Sequence, residues 1–168
     1  LVTAHCVTRS GEVLRFTPSE MGMSYRHCDV SEDVIFTRCE LRGVKEDKDV
    51  IAARMAEIKT RREGSQPIKS QTGGSTFANP SPQELEAAGL PHDTKTWWLI
   101  DQVGGRGLMV GGAQMSEKHT NFMINTGSAT AADLENLGEE VKRRVLDRFG
   151  VNLRWEIRRI GEALPSKT

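Results

Sequence analysis

Residues 73–80 read Gly-Gly-Ser-Thr-Phe-Ala-Asn-Pro, and this segment constrains the local backbone strongly. Its two glycines allow positive φ angles or close approach to a ligand, and they leave little bulk around the Ser75 hydroxyl. Asn79-Pro80 ends the segment, because a residue before proline avoids the α conformation. The Ser-Pro-Gln-Glu at 81–84 then has the pattern of a helix start. The pattern predicts a hydroxyl on a ligand-accessible turn, although a Gly-Ser turn is by itself more often a connector.

Charge and composition exclude several classes of function. The chain has 23 Lys+Arg and 23 Asp+Glu, so no basic field is present to hold nucleic acid or an anionic membrane surface. An anionic substrate would have to be held by a few placed cations. No apolar run approaches the ~20 residues of a membrane span. Cys6, Cys28 and Cys39 lack metal-like spacing and predict reduced thiols in a cytoplasmic protein.

Runs of β-forming residues predict strands, and apolar residues at helical spacing predict helices. The predicted strands are 1–8, 13–16, 33–42, 107–110, 121–125 and 151–160. The predicted helices are 50–62, 81–88, 96–103 and a long helix that starts at a Thr130–Asp133 capping box and stops at Gly150. In the first of these helices, Ile51, Met55 and Ile58 share a face and Gly64 is the predicted stop.

The long helix carries the clearest apolar stripe, formed by Leu134, Leu137, Val141, Val145 and Phe149. At the other end of the chain, Leu1 begins directly in strand-like sequence. A hairpin without partner strands is marginally stable, so we expect this sequence to be part of a longer protein.

Several short motifs occur in a characteristic order. They are Tyr25-Arg26, Gln66-Pro67, the 74–80 segment, Leu99-Ile100-Asp101-Gln102, Gly111-Gly112-Ala113, Ser116-Glu117-Lys118-His119, Asn121-Phe122, Ile124-Asn125, and Trp155-Glu156-Ile157-Arg158 before Ile160-Gly161. Together they resemble the C-terminal half of the UDP-N-acetylenolpyruvoylglucosamine reductase family, also called UDP-N-acetylmuramate dehydrogenases, from about residue 10 to 161. The long tyrosine-bearing loop that follows Tyr25-Arg26 in some members is missing, which resembles the shorter class.

The resemblance implies an α+β fold and a division into domains. Residues 1–48 would end a FAD-binding domain whose N-terminal part, with its Gly-rich pyrophosphate loop, is not in this sequence. Residues 49–150 would form the substrate-binding C-terminal domain, and 151–168 a closing strand and tail. The FAD-binding half of the same protein would be the partner of these residues, and the 168 residues alone would be inactive.

The implied activity is reduction of UDP-N-acetylglucosamine enolpyruvate to UDP-N-acetylmuramate in peptidoglycan precursor synthesis, with FAD and NADPH as cofactors. Such chemistry needs a hydride at the β-carbon, a stabilised enolate and a proton at the α-carbon. The resemblance implies Arg26 as enolate stabiliser, Ser75 as proton donor and Glu156 at the substrate carboxylate. From the residues alone, Arg26 would be a surface arginine, as most arginines are, and Glu156 an exposed strand carboxylate paired with Arg154 and Arg158.

The resemblance also implies a set of substrate-binding side chains, namely Tyr25, Asn79, Lys118, His119 and Asn121. Lys118 and His119 would lie on a turn between two short strands and meet the diphosphate or the uracil, although His119 is also explained as a solvent-facing residue. Cys28 departs from the serine that the family often has there. Two alternatives stay open: a nucleotide-sugar binding module without activity, and another FAD-dependent oxidoreductase. Flavin content and uridine nucleotide binding would separate them.

Overall fold

The computed structural model describes residues 1–24 and 27–161 of the chain. They form two compact units, of which the first is Leu1–Ala52 and the second begins at Ala53. Helices and small antiparallel sheets occur in the same chain, which confirms the predicted α+β class. Among the described residues, no helix combines the length and the apolar character that crossing a membrane requires.

The first unit is built on a three-stranded antiparallel sheet. Strand β1 (Thr3–Thr8) lies between β2 (Val13–Phe16) and β3 (Val34–Glu40), which gives the order β2-β1-β3. The three strands predicted in this region are confirmed. Ala4 and Cys6, two residues apart on β1, are buried, as expected for one face of a strand.

Helix α1 (Lys48–Ser65) confirms the predicted helix but not its predicted end. The helix runs through Gly64, which is not among the glycines with positive φ. A glycine ends a helix when it takes the left-handed conformation beyond the last turn, and Gly64 keeps the helical one. Within the described residues, no side chain of α1 is buried.

The second unit packs one long helix on a second three-stranded sheet. The helix is α4 (Ala131–Phe149), and the sheet consists of β4 (Met109–Val110), β5 (Ala113–Met115) and β6 (Met123–Asn125) in that order. The predicted stripe of α4 enters the core, with Leu137, Val141 and Val145 fully buried and the two end residues, Leu134 and Phe149, partly buried. Sequence periodicity missed β5, because three residues are too few to show an alternation.

The predicted helix boundaries of this unit rest on caps that the structure contains. Helix α2 (Pro82–Ala87) begins at a Ser81–Glu84 capping box, and α4 begins at a Thr130–Asp133 capping box. Helix α3 is Thr96–Gln102, one residue shorter than predicted. Gly150 takes φ 70° and ends α4, as predicted.

The predicted strand over 151–160 is wrong. These residues form no continuous strand, and a single bridge joins Trp155 to Phe77. The backbone N–H of Ala78 donates to the carbonyl of Arg154 at 2.9 Å. The partner segment around Phe77 is itself irregular, so a continuous ladder of hydrogen bonds cannot form beside it.

Candidate active site

Ser75 lies on a segment that Asn121 holds in place. The N–H of Thr76 donates to the Asn121 carbonyl at 2.7 Å. The Asn121 side chain bonds both polar groups of the next residue, because its Oδ1 accepts from the Phe77 N–H at 3.0 Å and its Nδ2 donates to the Phe77 carbonyl at 2.8 Å. Both residues are buried. Asn121 therefore fixes the backbone that carries Ser75, and its predicted role in substrate binding stays a prediction.

Ser75 is half-buried and borders open space on its N-terminal side. Gly74 takes φ 93°, a conformation that side-chain-bearing residues rarely adopt, and a Cβ built there would meet nothing within 4 Å. The backbone at Gly74 is thus free of side-chain bulk, whereas a Cβ at Gly73 would lie 3.2 Å from the Ile157 side chain.

Glu156 reaches the same segment from the end of the chain. Its N–H donates to the Thr76 carbonyl at 2.9 Å, and the Ile157 N–H lies 3.4 Å from the same oxygen. The preceding Trp155 packs on Phe77, with ring centroids 4.9 Å apart. The backbones of Ser75 and Glu156, which are far apart in sequence, are therefore linked through Thr76 and one hydrogen bond.

The predicted turn with Lys118 and His119 connects β5 to β6 and is organised by a buried serine. Ser116 Oγ accepts from the N–H of Lys118 at 3.1 Å and of His119 at 3.2 Å. His119 Nδ1 faces the Asn121 N–H at 3.3 Å, and its ring packs edge-on against Phe122 at 4.8 Å. The hydrogen bond from the Asn121 N–H requires an unprotonated Nδ1, so the neutral imidazole of His119 carries its proton on Nε2.

Two other predicted binding residues make structural contacts. The Lys118 ammonium donates to the carbonyl of Glu63, in the last turn of α1. Asn79 is exposed, and its Oδ1 accepts from the Thr96 N–H at 3.1 Å, which satisfies a free donor in the first turn of α3. Tyr25 and Arg26, the remaining predicted site residues, lie outside the described residues.

The candidate site also depends on residues that the sequence did not single out. Thr76 links the segment that carries Ser75 to the segment that carries Glu156. Gly138 on α4 makes room for Trp155, since a Cβ there would lie 2.0 Å from the indole. A glycine inside a helix costs about 1 kcal/mol relative to alanine, so its presence in the strongest helix is a signal of close packing. Across the part of the chain that the structure describes, no group of three or more metal-ligating side chains occurs.

Replacement of Asn121 with alanine should lower the free energy of unfolding by about 2–4 kcal/mol, because two buried polar groups of Phe77 lose their partners. Urea unfolding of the full-length protein measures this change. Asn136→Ala, at an exposed position of α4, should stay within about 0.5 kcal/mol of the wild type. Equal urea midpoints for the two variants would contradict the role assigned to Asn121.

The environment of His119 predicts a specific pH dependence of stability. Burial lowers the pKa of this imidazole below its usual 6.5, and the nearby Arg106 guanidinium lowers it further. The unfolded chain therefore binds the proton more readily, and this contribution to stability is present above pH 6.5 and lost as the pH falls through the folded pKa. His119→Gln should flatten the unfolding free energy between about pH 5 and 7. His92→Gln, at an exposed site, is the control and should leave the wild-type profile unchanged.

Comparison with known proteins identifies the family. Residues 66–160 match the family model described as UDP-N-acetylenolpyruvoylglucosamine reductase, C-terminal domain. The reductase of that name from Rhodospirillum rubrum is 54% identical over 98% of this chain and 50% of its own length. The one from Maricaulis maris is 50% identical over 96% of this chain and 50% of its own length.

A solved structure agrees with these relatives. The crystal structure of UDP-N-acetylenolpyruvylglucosamine reductase from Thermus caldophilus matches with a TM-score of 0.69 and 33% identity, over 93% of this chain and 52% of that one. The chain thus spans about half the length of the curated relatives it matches. On the family model and these relatives, the chain belongs to the UDP-N-acetylenolpyruvoylglucosamine reductase family.

Proposed function

We propose that this chain forms the substrate-facing half of an enzyme that reduces UDP-N-acetylglucosamine enolpyruvate to UDP-N-acetylmuramate with NADPH, in peptidoglycan precursor synthesis. Family membership supports the reaction class. One observation carries the proposal: the Thr76 carbonyl, next to Ser75, accepts the Glu156 N–H at 2.9 Å. This bond joins the backbones of two segments, one carrying a hydroxyl and the other a carboxyl group, which are the two kinds of group that the proposed reaction requires.

The chemistry divides between a cofactor and the protein. A bound FAD, recharged by NADPH, supplies the electrons. A Cβ built at Gly74 would meet nothing within 4 Å, so the backbone next to Ser75 leaves room for a ligand. The protein must stabilise the enolate that forms and deliver a proton to the α-carbon of the substrate.

Ser75 is the proposed proton donor. An alcohol is a weak acid, so this role requires a strongly basic acceptor, which the enolate carbon is. The Oγ–H bond breaks as the Cα–H bond forms, and the alkoxide left on Ser75 regains a proton from water.

Glu156 and Arg26 are the proposed partners of the substrate carboxylate. An arginine fork binds a carboxylate with two parallel hydrogen bonds and stays charged at any relevant pH. Glu156 would lie at the substrate carboxylate and help to stabilise the enol that forms there. Its half-buried position and its attachment to the Ser75 segment support this role.

The connection between β5 and β6 and the exposed Asn79 are the proposed contacts of the nucleotide-sugar, together with Tyr25. The turn offers an ammonium group at Lys118 and a neutral imidazole at His119, which suit a diphosphate and a uracil edge. The Lys118 ammonium would exchange the Glu63 carbonyl for the phosphate oxygens on binding. The buried Asn121 would contribute by holding the backbone of Phe77, two residues after Ser75.

The proposed function is tested by Glu156→Gln in the full-length protein. The variant should lower kcat at least about tenfold with a KM within about threefold, because the carboxyl acts on charge that develops in the transition state. Steady-state oxidation of NADPH with the enolpyruvyl substrate measures both constants. Glu135→Gln is the control, since Glu135 is an exposed residue of α4. Equal kcat values for the two variants would count against Glu156, and wild-type protein that fails to oxidise NADPH with this substrate would overturn the proposed reaction.

A further inference from the structure

We propose that Thr76 is a positioning residue that sets the separation between the Ser75 hydroxyl and the Glu156 carboxyl group. This inference rests on the proposed function, because it concerns the two groups that carry the proposed chemistry. Thr76 is fully buried, so its polar atoms have no access to bulk solvent.

Three different polar atoms of Thr76 are engaged, each with a different part of the second unit. Its N–H donates to the Asn121 carbonyl at 2.7 Å, and its carbonyl accepts from the Glu156 N–H at 2.9 Å. Its hydroxyl oxygen accepts from the Met123 N–H at 3.1 Å. The hydroxyl is the one link among these that a substitution can remove without changing the backbone.

The hydroxyl bond attaches the site to the rigid part of the fold. Met123 is the first residue of β6, which pairs with β5 in the sheet beneath α4. Met115 and Met123, paired across the two strands, are both buried in the core. Thr76 Oγ1 therefore holds the Ser75–Thr76 backbone against the sheet, while the Thr76 carbonyl holds the segment with Glu156.

Loss of this bond should shift the Ser75 hydroxyl relative to the Glu156 carboxyl group. Valine has nearly the shape of threonine but no acceptor, so Thr76→Val leaves the Met123 N–H buried without a partner, a state that proteins avoid by shifting or admitting water. Proton transfer depends steeply on placement, and a shift of about 1 Å can cost about a hundredfold in rate. Serine at this position keeps the acceptor and removes only a methyl group.

The test uses the full-length protein and separates the two halves of the catalytic cycle. In Thr76→Val, reoxidation of the reduced flavin by the enolpyruvyl substrate should slow at least about tenfold, and flavin reduction by NADPH should stay within about twofold. Thr76→Ser should recover reoxidation to within about threefold of the wild type. Val145→Ala, in the core of α4, is a destabilised control that should leave both half-reactions near normal.

A double-mutant cycle and hydrogen exchange make the inference independent of a general loss of stability. If Thr76 sets the placement of Ser75 relative to Glu156, Thr76→Val should slow reoxidation by a smaller factor in the Ser75→Ala background than in the wild type. The amides of Met123 and Glu156 should lose exchange protection in Thr76→Val and keep it in Val145→Ala. If Thr76→Val does not fold, Thr76→Ala removes the same bond.

Several results would overturn the inference. They are equal slowing of both half-reactions, rate losses that multiply in the double variant, and unchanged reoxidation in Thr76→Val. If Ser75→Ala is slow and Thr76→Val is normal, only the positioning role fails. If Ser75→Ala itself reoxidises normally, the proposed proton donor fails, and the positioning role fails with it.

Discussion

Substitution of Ser75 by alanine in the full-length protein should slow reoxidation of the reduced flavin by the enolpyruvyl substrate at least about a hundredfold. Flavin reduction by NADPH should stay near normal, because in the proposed mechanism the proton of Ser75 goes to the substrate carbon and takes no part in the first half-reaction. Removal of a positioned general acid commonly costs about 10²–10⁴-fold, or about 3–5 kcal/mol of transition-state stabilisation. Stopped-flow absorbance of the flavin resolves the two halves.

Two further variants make the Ser75 experiment specific. Ser75→Cys keeps a dissociable proton of similar reach and should recover part of the lost rate. Ser128→Ala, on an exposed loop, should change neither half-reaction. Reoxidation at the wild-type rate in Ser75→Ala would show that the proton comes from another group, and that Gly74-Ser75 is only a turn.

Alanine at Gly138 should destabilise the protein by about 2–3 kcal/mol, although alanine is the better helix former. A Cβ at this position would lie 2.0 Å from the Trp155 indole, within the buried side of α4. The indole would have to leave its place against Phe77, where the ring centroids are 4.9 Å apart, and its Nε1 would lose the 2.8 Å bond to Glu139. These losses exceed the gain of about 1 kcal/mol in helix propensity.

Gly64 provides the matched control for this prediction. It also lies within a helix, α1, but a Cβ there would meet nothing within 4 Å. Gly64→Ala should therefore raise the free energy of unfolding by up to about 1 kcal/mol. Chemical unfolding of both variants checks the opposite signs, and a stabilised Gly138→Ala would show that Trp155 does not depend on the missing side chain.

Local sequence patterns determined most of the elements and their ends. The stripe of α4, the capping boxes at Ser81 and Thr130, and the left-handed Gly150 all follow from interactions within a few residues of one another. Such signals are readable without the rest of the fold. The ordered motifs likewise sufficed for the family.

Only the tertiary structure decided how the candidate site is joined together. Residues 151–160 were predicted as a strand, yet they form one bridge, because their partner segment is shaped by Asn121. Strand β5 is defined by its two neighbours in the sheet and not by its own three residues. The attachment of Glu156 to the Ser75 segment through Thr76 is a hydrogen bond between residues far apart in the chain. A pattern within a few neighbouring residues cannot predict such a bond, because its geometry forms only after α4 has packed on the sheet.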